Sequence, residues 1–185
     1  MTLLIVIGVV FVIAILVVSS YNSLVKLRNN RENAFADIDV QLKQRHDLIP
    51  QLVETVKGYA KHEQDTLDRV ISARSGAINA KTIDEKINAE NTLSSALAGL
   101  RVTVEAYPDL KANQNFLQLQ GEISELENKL STVRRYFNAA TKEYNNAVQT
   151  FPSNIIAGMF GFHKEMMFDL GEQRAKLEEA PKISF

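Results

Sequence analysis

Residues 3–18 (LLIVIGVVFVIAILVV) carry no polar side chain, and the first charged side chain after them is Lys26. As a helix, the uncharged residues 1–25 measure roughly 37 Å at 1.5 Å per residue, longer than the ~30 Å hydrocarbon core of a bilayer. A cleavable signal peptide is the competing interpretation, with Val18 and Ser20 as the small residues before a cut. Against it, no Lys or Arg precedes the run, and the run is longer than a usual signal-peptide apolar region. The expectation is an uncleaved single-pass anchor over residues 1–25. Its lipid contacts would be Leu3, Leu4, Ile5, Val6, Ile7, Val9, Val10, Phe11, Val12, Ile13, Ile15, Leu16, Val17 and Val18.

Lys26, Arg28 and Arg31 follow the anchor with only Glu32 against them, and no side-chain charge precedes it. The positive-inside rule then places the body of the chain on the cytoplasmic side of the membrane.

The chain beyond the anchor is long enough for one well-buried core. A net charge of −1 and a pI near 6.3 give no electrostatic reason to expect nucleic acid. The absence of cysteine excludes disulfides, thiol nucleophiles and cysteine-based zinc sites. With only 8 Gly and 4 Pro in 185 residues, there is too little turn punctuation for an all-β sandwich or barrel.

The pattern is helical instead. Phe35, Ile38, Leu42, Arg45, Ile49, Leu52, Val56 and Tyr59 step by three and four, apolar at every position but Arg45. Pro50 predicts a kink near residues 45–48, with the stripe kept in phase across it. A narrower stripe of Leu67, Val70, Ile71 and Ile78 either continues this helix or forms a second one. Thr82-Ile83-Asp84-Glu85 has the spacing of a capping box and opens a helix carrying Ile83, Ile87, Leu93, Leu97, Leu100 and Val104, which ends near Tyr107-Pro108.

A long helix then carries Phe116, Leu119, Ile123, Leu126, Leu130, Val133, Phe137, Ala140, Tyr144, Ala147 and Phe151 in an unbroken seven-residue period, as close antiparallel or coiled-coil packing requires. Residues 155–162 are apolar and interrupted by glycine. They read as a short helix capping the bundle or as a membrane-grazing or subunit-contacting segment through Ile155, Ile156, Met159, Phe160 and Phe162. A last helix is expected over residues 164–178, with Met167, Leu170 and Leu177 at helical intervals.

Residues 39–63 (DVQLKQRHDLIPQLVETVKGYAKHE) resemble the signature of the bacterial LemA family. Within them Asp39, Gln41, Leu42, Arg45, Asp47, Leu48, Ile49, Pro50, Leu52, Val53 and Tyr59 stand out. Further landmarks follow in order: Tyr107-Pro108-Asp109-Leu110-Lys111-Ala112, Arg134-Arg135-Tyr136-Phe137-Asn138, Tyr144-Asn145, Phe151-Pro152, Gly161-Phe162 and Pro181-Lys182-Ile183-Ser184-Phe185. Phe137 departs from the expected Tyr. The resemblance implies a membrane-anchored antiparallel helical bundle and supplies no reaction.

The residues supply none either. His46, His62 and His163 lie in no metalloprotease, di-iron, nucleophile-elbow or phosphate-loop motif. His46-Asp47 and His62-Glu63 are sequence neighbours, which point about 100° apart on a helix. Asp39 with Lys43 has the spacing of an exposed helical ion pair. Arg45 breaks an apolar stripe, so it is either buried with a carboxylate or carbonyl partner that fixes helix register or packed by its stem at the bundle edge.

The resulting expectation is an all-α chain: an N-terminal transmembrane helix (1–25), an elongated antiparallel bundle with long coiled-coil-like helices (26–178) and a tail (179–185). It is read as a non-enzymatic scaffold without cofactor or metal that self-associates into a homo-oligomer at the bacterial inner membrane. Its partners would be the lipid bilayer, further copies of itself and possible membrane proteins, and no nucleic acid. The alternative is an adaptor in membrane-protein quality control, acting with a membrane protease.

Overall fold

The computed structural model describes residues 1–168, and the described residues form helices and no strand. The helices are α1 (Thr2–Tyr59), α2 (Gln64–Asn79), α3 (Ile83–Val104), α4 (Pro108–Lys111), α5 (Gln114–Gln149) and α6 (Ser153–Phe160). The fold is all-α, as the periodicities require. Two compact units emerge, one of Met1–Ala36 with Tyr136–Met167 and one of Asp37–Arg135 with Phe168.

In the unit of residues 37–135, α1 contributes its second half and continues through Pro50 as one helix. The stripe is buried from Ile38 to Val56, whereas Tyr59 is 44% exposed and its hydroxyl accepts from Asn113 Nδ2 at 2.9 Å. Residues 60–63 then reverse the chain, so α2 is a separate helix and does not extend α1. Its buried face shares Leu67 and Val70 with the expected stripe and departs from it at Ile71 and Ile78. Ile71 and Ile78 are about half exposed, and Thr66, Leu67, Val70 and Ala77 pack inward with Ala73. Leu67 and Val70 supply the bulk of this face, and Thr66, Ala73 and Ala77 the small side chains between them.

The capping box at α3 forms in full: Thr82 Oγ1 accepts from the Glu85 amide at 3.1 Å, and Glu85 Oε2 accepts from the Thr82 amide at 3.2 Å. Glu85 also accepts from the Lys81 amide at 2.8 Å, and that bond, with the Thr82 amide, holds its carboxyl below the usual range. Pro108 ends the α3 connection and occupies the first turn of α4, where its missing N–H costs nothing.

Cross-helix contacts fix the direction of each element. Asp39 meets Lys86 and Arg45 meets Glu90 and Ser94, so α1 and α3 run parallel. Arg74 meets His46, so α2 runs against α1. Tyr59 meets Asn113, and Arg45 meets Glu127, so α5 also runs against α1. This is an up-down-up-down four-helix bundle. One end of it is closed by an apolar core of Ile49, Val53 and Val56 from α1, Leu67 and Val70 from α2, Leu93, Leu100 and Val104 from α3, Leu110, and Phe116 from α5.

In the unit of residues 1–36 and 136–167, the first part of α1 meets the end of α5 and α6. An 18-residue window of α1 has a mean hydropathy of 3.2 and none of it is buried, so this segment is long and apolar enough to cross a membrane. The core lies just beyond that run, where Leu24, Tyr144, Ile156, Ala157 and Phe162 pack together with Val17 and Val25 at their edge. Phe35 meets Phe137 edge-on at 5.5 Å, and the Arg31 guanidinium lies 5.1 Å over the Phe137 ring. Burial pushes the Tyr144 hydroxyl above its usual range, with the Glu165 carboxylate adding to the effect.

The long stripe of α5 is buried or half-buried from Phe116 to Ala147, and Phe151 departs from it, 79% exposed beyond the helix end. Residues 162–168 are not helical, against the expected helix from 164. The reason lies in contacts with distant residues. The buried side-chain amide of Asn145 takes both backbone groups of Glu165: its Oδ1 accepts from the Glu165 N–H at 2.8 Å and its Nδ2 donates to the Glu165 carbonyl at 2.9 Å. Arg31 holds the same strand of chain through the Met166 carbonyl and the Glu165 carboxylate, both at 3.3 Å. Residues 169–178, with Leu170 and Leu177, and the tail 179–185 lie outside the described residues.

Candidate functional site

Halfway along the four-helix unit, its apolar core is interrupted by a layer of polar side chains to which every long helix contributes. Arg45 is its centre, only 2% exposed. Its Nη1 donates to Glu90 Oε2 at 3.1 Å, and its Nη2 donates to Ser94 Oγ at 3.1 Å and lies 2.9 Å from Glu127 Oε1. The other Glu90 oxygen is 2.6 Å from His46 Nε2. Glu90 is 1% exposed, so its two oxygens are shared between two residues that are consecutive in α1. That is possible because Glu90 faces both from the parallel helix α3.

Arg134, about two turns beyond Glu127 on α5, completes the charge set. Burial pulls its guanidinium below the usual arginine range, and Arg45 adds to this while Glu127 and Glu90 oppose it. The Arg134 guanidinium lies 4.9 Å from the centre of the Phe168 ring, a cation–π contact that partly replaces lost water.

Pro50 gives the layer its fourth contributor. A helical residue 50 would donate its N–H to the carbonyl of residue 46, and proline has none to give. Arg74 of α2 supplies the missing donor: its Nε reaches the His46 carbonyl at 2.7 Å. The proline that should have broken α1 thus creates an acceptor that ties α1 to α2.

Beside the layer, a groove of about 540 Å³ opens between α3 and α5. Arg45, Ser94 and Glu127 stand at one end, Leu97, Leu100, Phe116 and Ile123 form its apolar length, and Lys111 and Glu105 are at the other end.

The layer links all four long helices through side-chain bonds. Within it His46 is bonded to Glu90 and the Ser94 hydroxyl accepts from Arg45, and among the described residues no hydroxyl is hydrogen-bonded to an imidazole. Among the described residues, no three His, Asp or Glu side chains converge as a metal site would require.

Of the sequence-expected positions, Leu42, Arg45, Ile49, Leu52 and Val53 are buried, Asp39, Gln41 and Leu48 are half-buried, and Asp47, Pro50 and Tyr59 are exposed. Arg45 takes the buried alternative. Asp39 does not pair with Lys43. Lys86 Nζ donates to both of its oxygens, at 2.8 and 2.6 Å, because the parallel neighbour α3 offers a closer cation. His46 turns away from Asp47 toward Glu90, and Glu63 accepts from the Tyr107 hydroxyl at 3.1 Å rather than serving His62. That bond raises the Tyr107 hydroxyl above its ordinary range. All of residues 3–18 are exposed except half-buried Val17. Ile156 and Phe162 belong to the chain's own core, which leaves Ile155, Met159 and Phe160 at the surface.

Glu90, Ser94, Glu127 and Arg74 are absent from the sequence-based expectations, and Arg134 enters them only within the Arg134–Asn138 family landmark, with no buried role attached to it. Glu90 had a signal: it stands between Ile87 and Leu93 on the apolar face of α3, as Arg45 does on that of α1.

Together these features define an all-helical protein with a long exposed apolar N-terminal helix and a four-helix bundle crossed by a buried ionic layer. The chain belongs to the LemA family, whose model matches residues 34–185. Protein LemA of Metamycoplasma hominis is 27% identical over 153 residues, covering 82% of this chain and 69% of that protein. Magnetosome protein MamQ 2 of Paramagnetospirillum magneticum is 22% identical over 193 residues, covering 89% and 71% respectively. Magnetosome protein MamQ of Magnetospirillum gryphiswaldense is 20% identical over 174 residues, covering 80% and 64%. These names state no reaction and no ligand.

Proposed function

We propose that the chain is a single-pass, membrane-anchored scaffold without catalytic activity. Residues 1–25 cross the bacterial inner membrane, and the helical bundle, on the cytoplasmic side, offers surfaces to other proteins and to further copies of itself. The observation that carries this reading is the bare apolar window of α1, none of it buried, in a chain whose other described helices pack around cores. Such a surface in water would drive aggregation, and in a bilayer it is the lowest-energy arrangement. Lys26 and Arg28 on the exposed side of the next turns support the cytoplasmic orientation. Anchoring raises the local concentration of copies and aligns them, which favours self-association through weak contacts.

Deleting residues 1–20 tests the anchor: the shortened chain should move to the soluble fraction and lose resistance to carbonate extraction. A shortened chain that stays with the membrane overturns the reading. Mass measurement of the full chain in mild detergent tests self-association, with a homo-oligomer expected.

The groove between α3 and α5 favours a second reading, an adaptor for another membrane protein such as a membrane protease. Its apolar length with charged ends suits an amphipathic helix. A monomer that co-purifies with such a protein would favour this over the scaffold.

A further inference from the structure

Within the unit formed by residues 1–36 and 136–167, α6 is seated at one particular height on α1: the point where the apolar run gives way to Ser19, Ser20, Tyr21 and Asn22. The Phe160 ring meets Tyr21 edge-on at 4.9 Å, and Phe162 meets the same tyrosine at 5.7 Å. Val17, inside the run, packs against the core that Ile156 and Phe162 help to form. One side of α6 is therefore committed to α1 and α5.

The opposite side has no partner among the described residues. Ile155 is 53% exposed and Met159 71%, with Phe151 at 79% just before the helix, and Phe160, edge-on to Tyr21 along one side, leaves 53% of its surface open. Ile155 and Met159 are one turn apart and share a face. Residues 153–160 contain no charged side chain at all. Gly161 fixes this division. At φ +72°, in the left-handed region, it ends the helix, and the Phe162 amide returns to the Ala157 carbonyl at 2.9 Å, which turns Phe162 into the core and leaves Phe160 outside.

We infer that this outer face of α6 is a second membrane contact: a short helix lying in the headgroup–acyl boundary beside the point where α1 leaves the bilayer. The inference rests on the reading that α1 spans the membrane. Given that reading, α6 has to lie at the depth of the interface, because Tyr21 and Val17, which it touches, mark the end of the apolar run. Exposed apolar side chains at that depth meet lipid rather than water, and a tyrosine there is the residue type that bilayers favour at their interface. Lys26 and the Arg28 guanidinium, which lies 5.2 Å over the Phe162 ring, come next along α1 at the height of lipid phosphates. A helix with one apolar face against lipid and basic groups alongside is the pattern of interfacial helices in general. The consequence is mechanical. A single transmembrane helix leaves the attached unit free to swivel, and a second contact beside it holds α5 and α6 to the membrane surface.

The chain contains no tryptophan, so a single introduced one reports its own surroundings. Full-length Met159→Trp and Ile155→Trp, both at exposed positions, and Ile7→Trp within the apolar run would each be reconstituted in phosphatidylcholine vesicles brominated either near the glycerol or near the chain ends. Helix content is checked by circular dichroism. The expected result is that Ile7→Trp loses most emission to deep bromines, whereas Met159→Trp and Ile155→Trp are blue-shifted, shielded from iodide and quenched chiefly by shallow bromines. If Ile7→Trp is quenched and neither α6 variant responds to any bromine, the face does not touch lipid and the inference fails alone. Blue-shifted but unquenched α6 variants whose shift vanishes on dilution into more lipid would place a second copy there, which also overturns it. If Ile7→Trp is itself unquenched, the spanning reading fails and the interfacial contact with it.

Discussion

Replacing Arg74 by alanine should be costly only while residue 50 is a proline. In the native chain, Arg74 Nε at 2.7 Å is the donor to the His46 carbonyl, a part-buried group that Pro50 leaves without its helical partner. Losing that charge-assisted bond costs about 1.5–3 kcal/mol, since the carbonyl is left unpaired away from bulk water. Pro50→Ala restores an N–H at position 50 and removes a residue about 3 kcal/mol less favourable than alanine inside a helix. The variant is therefore expected to be more stable than the native chain. In the Pro50→Ala background, the new N–H bonds the carbonyl, so Arg74→Ala should cost less than about 1 kcal/mol, mostly lost packing of the arginine stem. The coupling between the two positions is then on the order of 1–2 kcal/mol. Urea denaturation of the four full-length proteins in mild detergent, followed by the helical far-UV signal, closes the cycle. Equal costs of Arg74→Ala in both backgrounds would refute the surrogate-donor explanation.

Glu90→Ala should destabilise by about 3 kcal/mol, because it removes the fully buried carboxylate shared by Arg45 and His46 and leaves Arg45 only the more exposed Glu127 as counter-charge, and the same denaturation assay reads it. Leu130→Ala, at a position with no exposure, should cost about 2–5 kcal/mol, and a near-native midpoint would remove α5 from the core. Thr82→Ala should cost about 1 kcal/mol through loss of the cap, visible as faster amide exchange in the first turn of α3. The depressed Glu85 carboxyl contributes stability that is complete above its unfolded pKa and is lost as pH falls through its lower folded pKa. Acid titration of the α3 first turn should therefore show fraying at low pH that Glu85→Gln shows already at neutral pH.

What was legible in the sequence was whatever local chemistry decides. The Thr82–Glu85 box and the stop before Pro108 depend on neighbours within one turn, and both form as expected. The apolar run needs no partner to be recognised. Choices between helices were not legible. Asp39 has a lysine four residues away and takes Lys86 instead, because the arrival of α3 alongside α1 is a property of the whole bundle. On α2 the expected Leu67 and Val70 are buried, but the rest of the face is made by the small Thr66, Ala73 and Ala77, while the larger Ile71 and Ile78 lie half exposed. Residues 164–168 look helical by spacing, and Asn145, twenty residues earlier than Glu165, holds them extended. The polar layer lay between these extremes. Arg45 and Glu90 each interrupt an apolar stripe, and two interruptions of opposite charge on different helices are a signal that they meet. Pro50 carried a second signal, an orphaned carbonyl four residues back that required a donor from elsewhere.

Placement of α1 across a membrane is tested most directly by its accessibility, residue by residue. The chain has no cysteine, so Ile7→Cys, Ile13→Cys and Glu32→Cys in otherwise native full-length protein each carry one thiol. The three positions are exposed in the fold, so the chain's own described residues do not shield them. A membrane-impermeant maleimide would be applied to intact spheroplasts, to lysed spheroplasts and to detergent extracts. The expected result is that Ile7→Cys and Ile13→Cys react only in detergent, and that Glu32→Cys stays unlabelled in intact spheroplasts and reacts once they are lysed. Ready labelling of Ile7→Cys and Ile13→Cys in lysed membranes without detergent would contradict the spanning helix, and labelling of Glu32→Cys in intact spheroplasts would reverse its orientation.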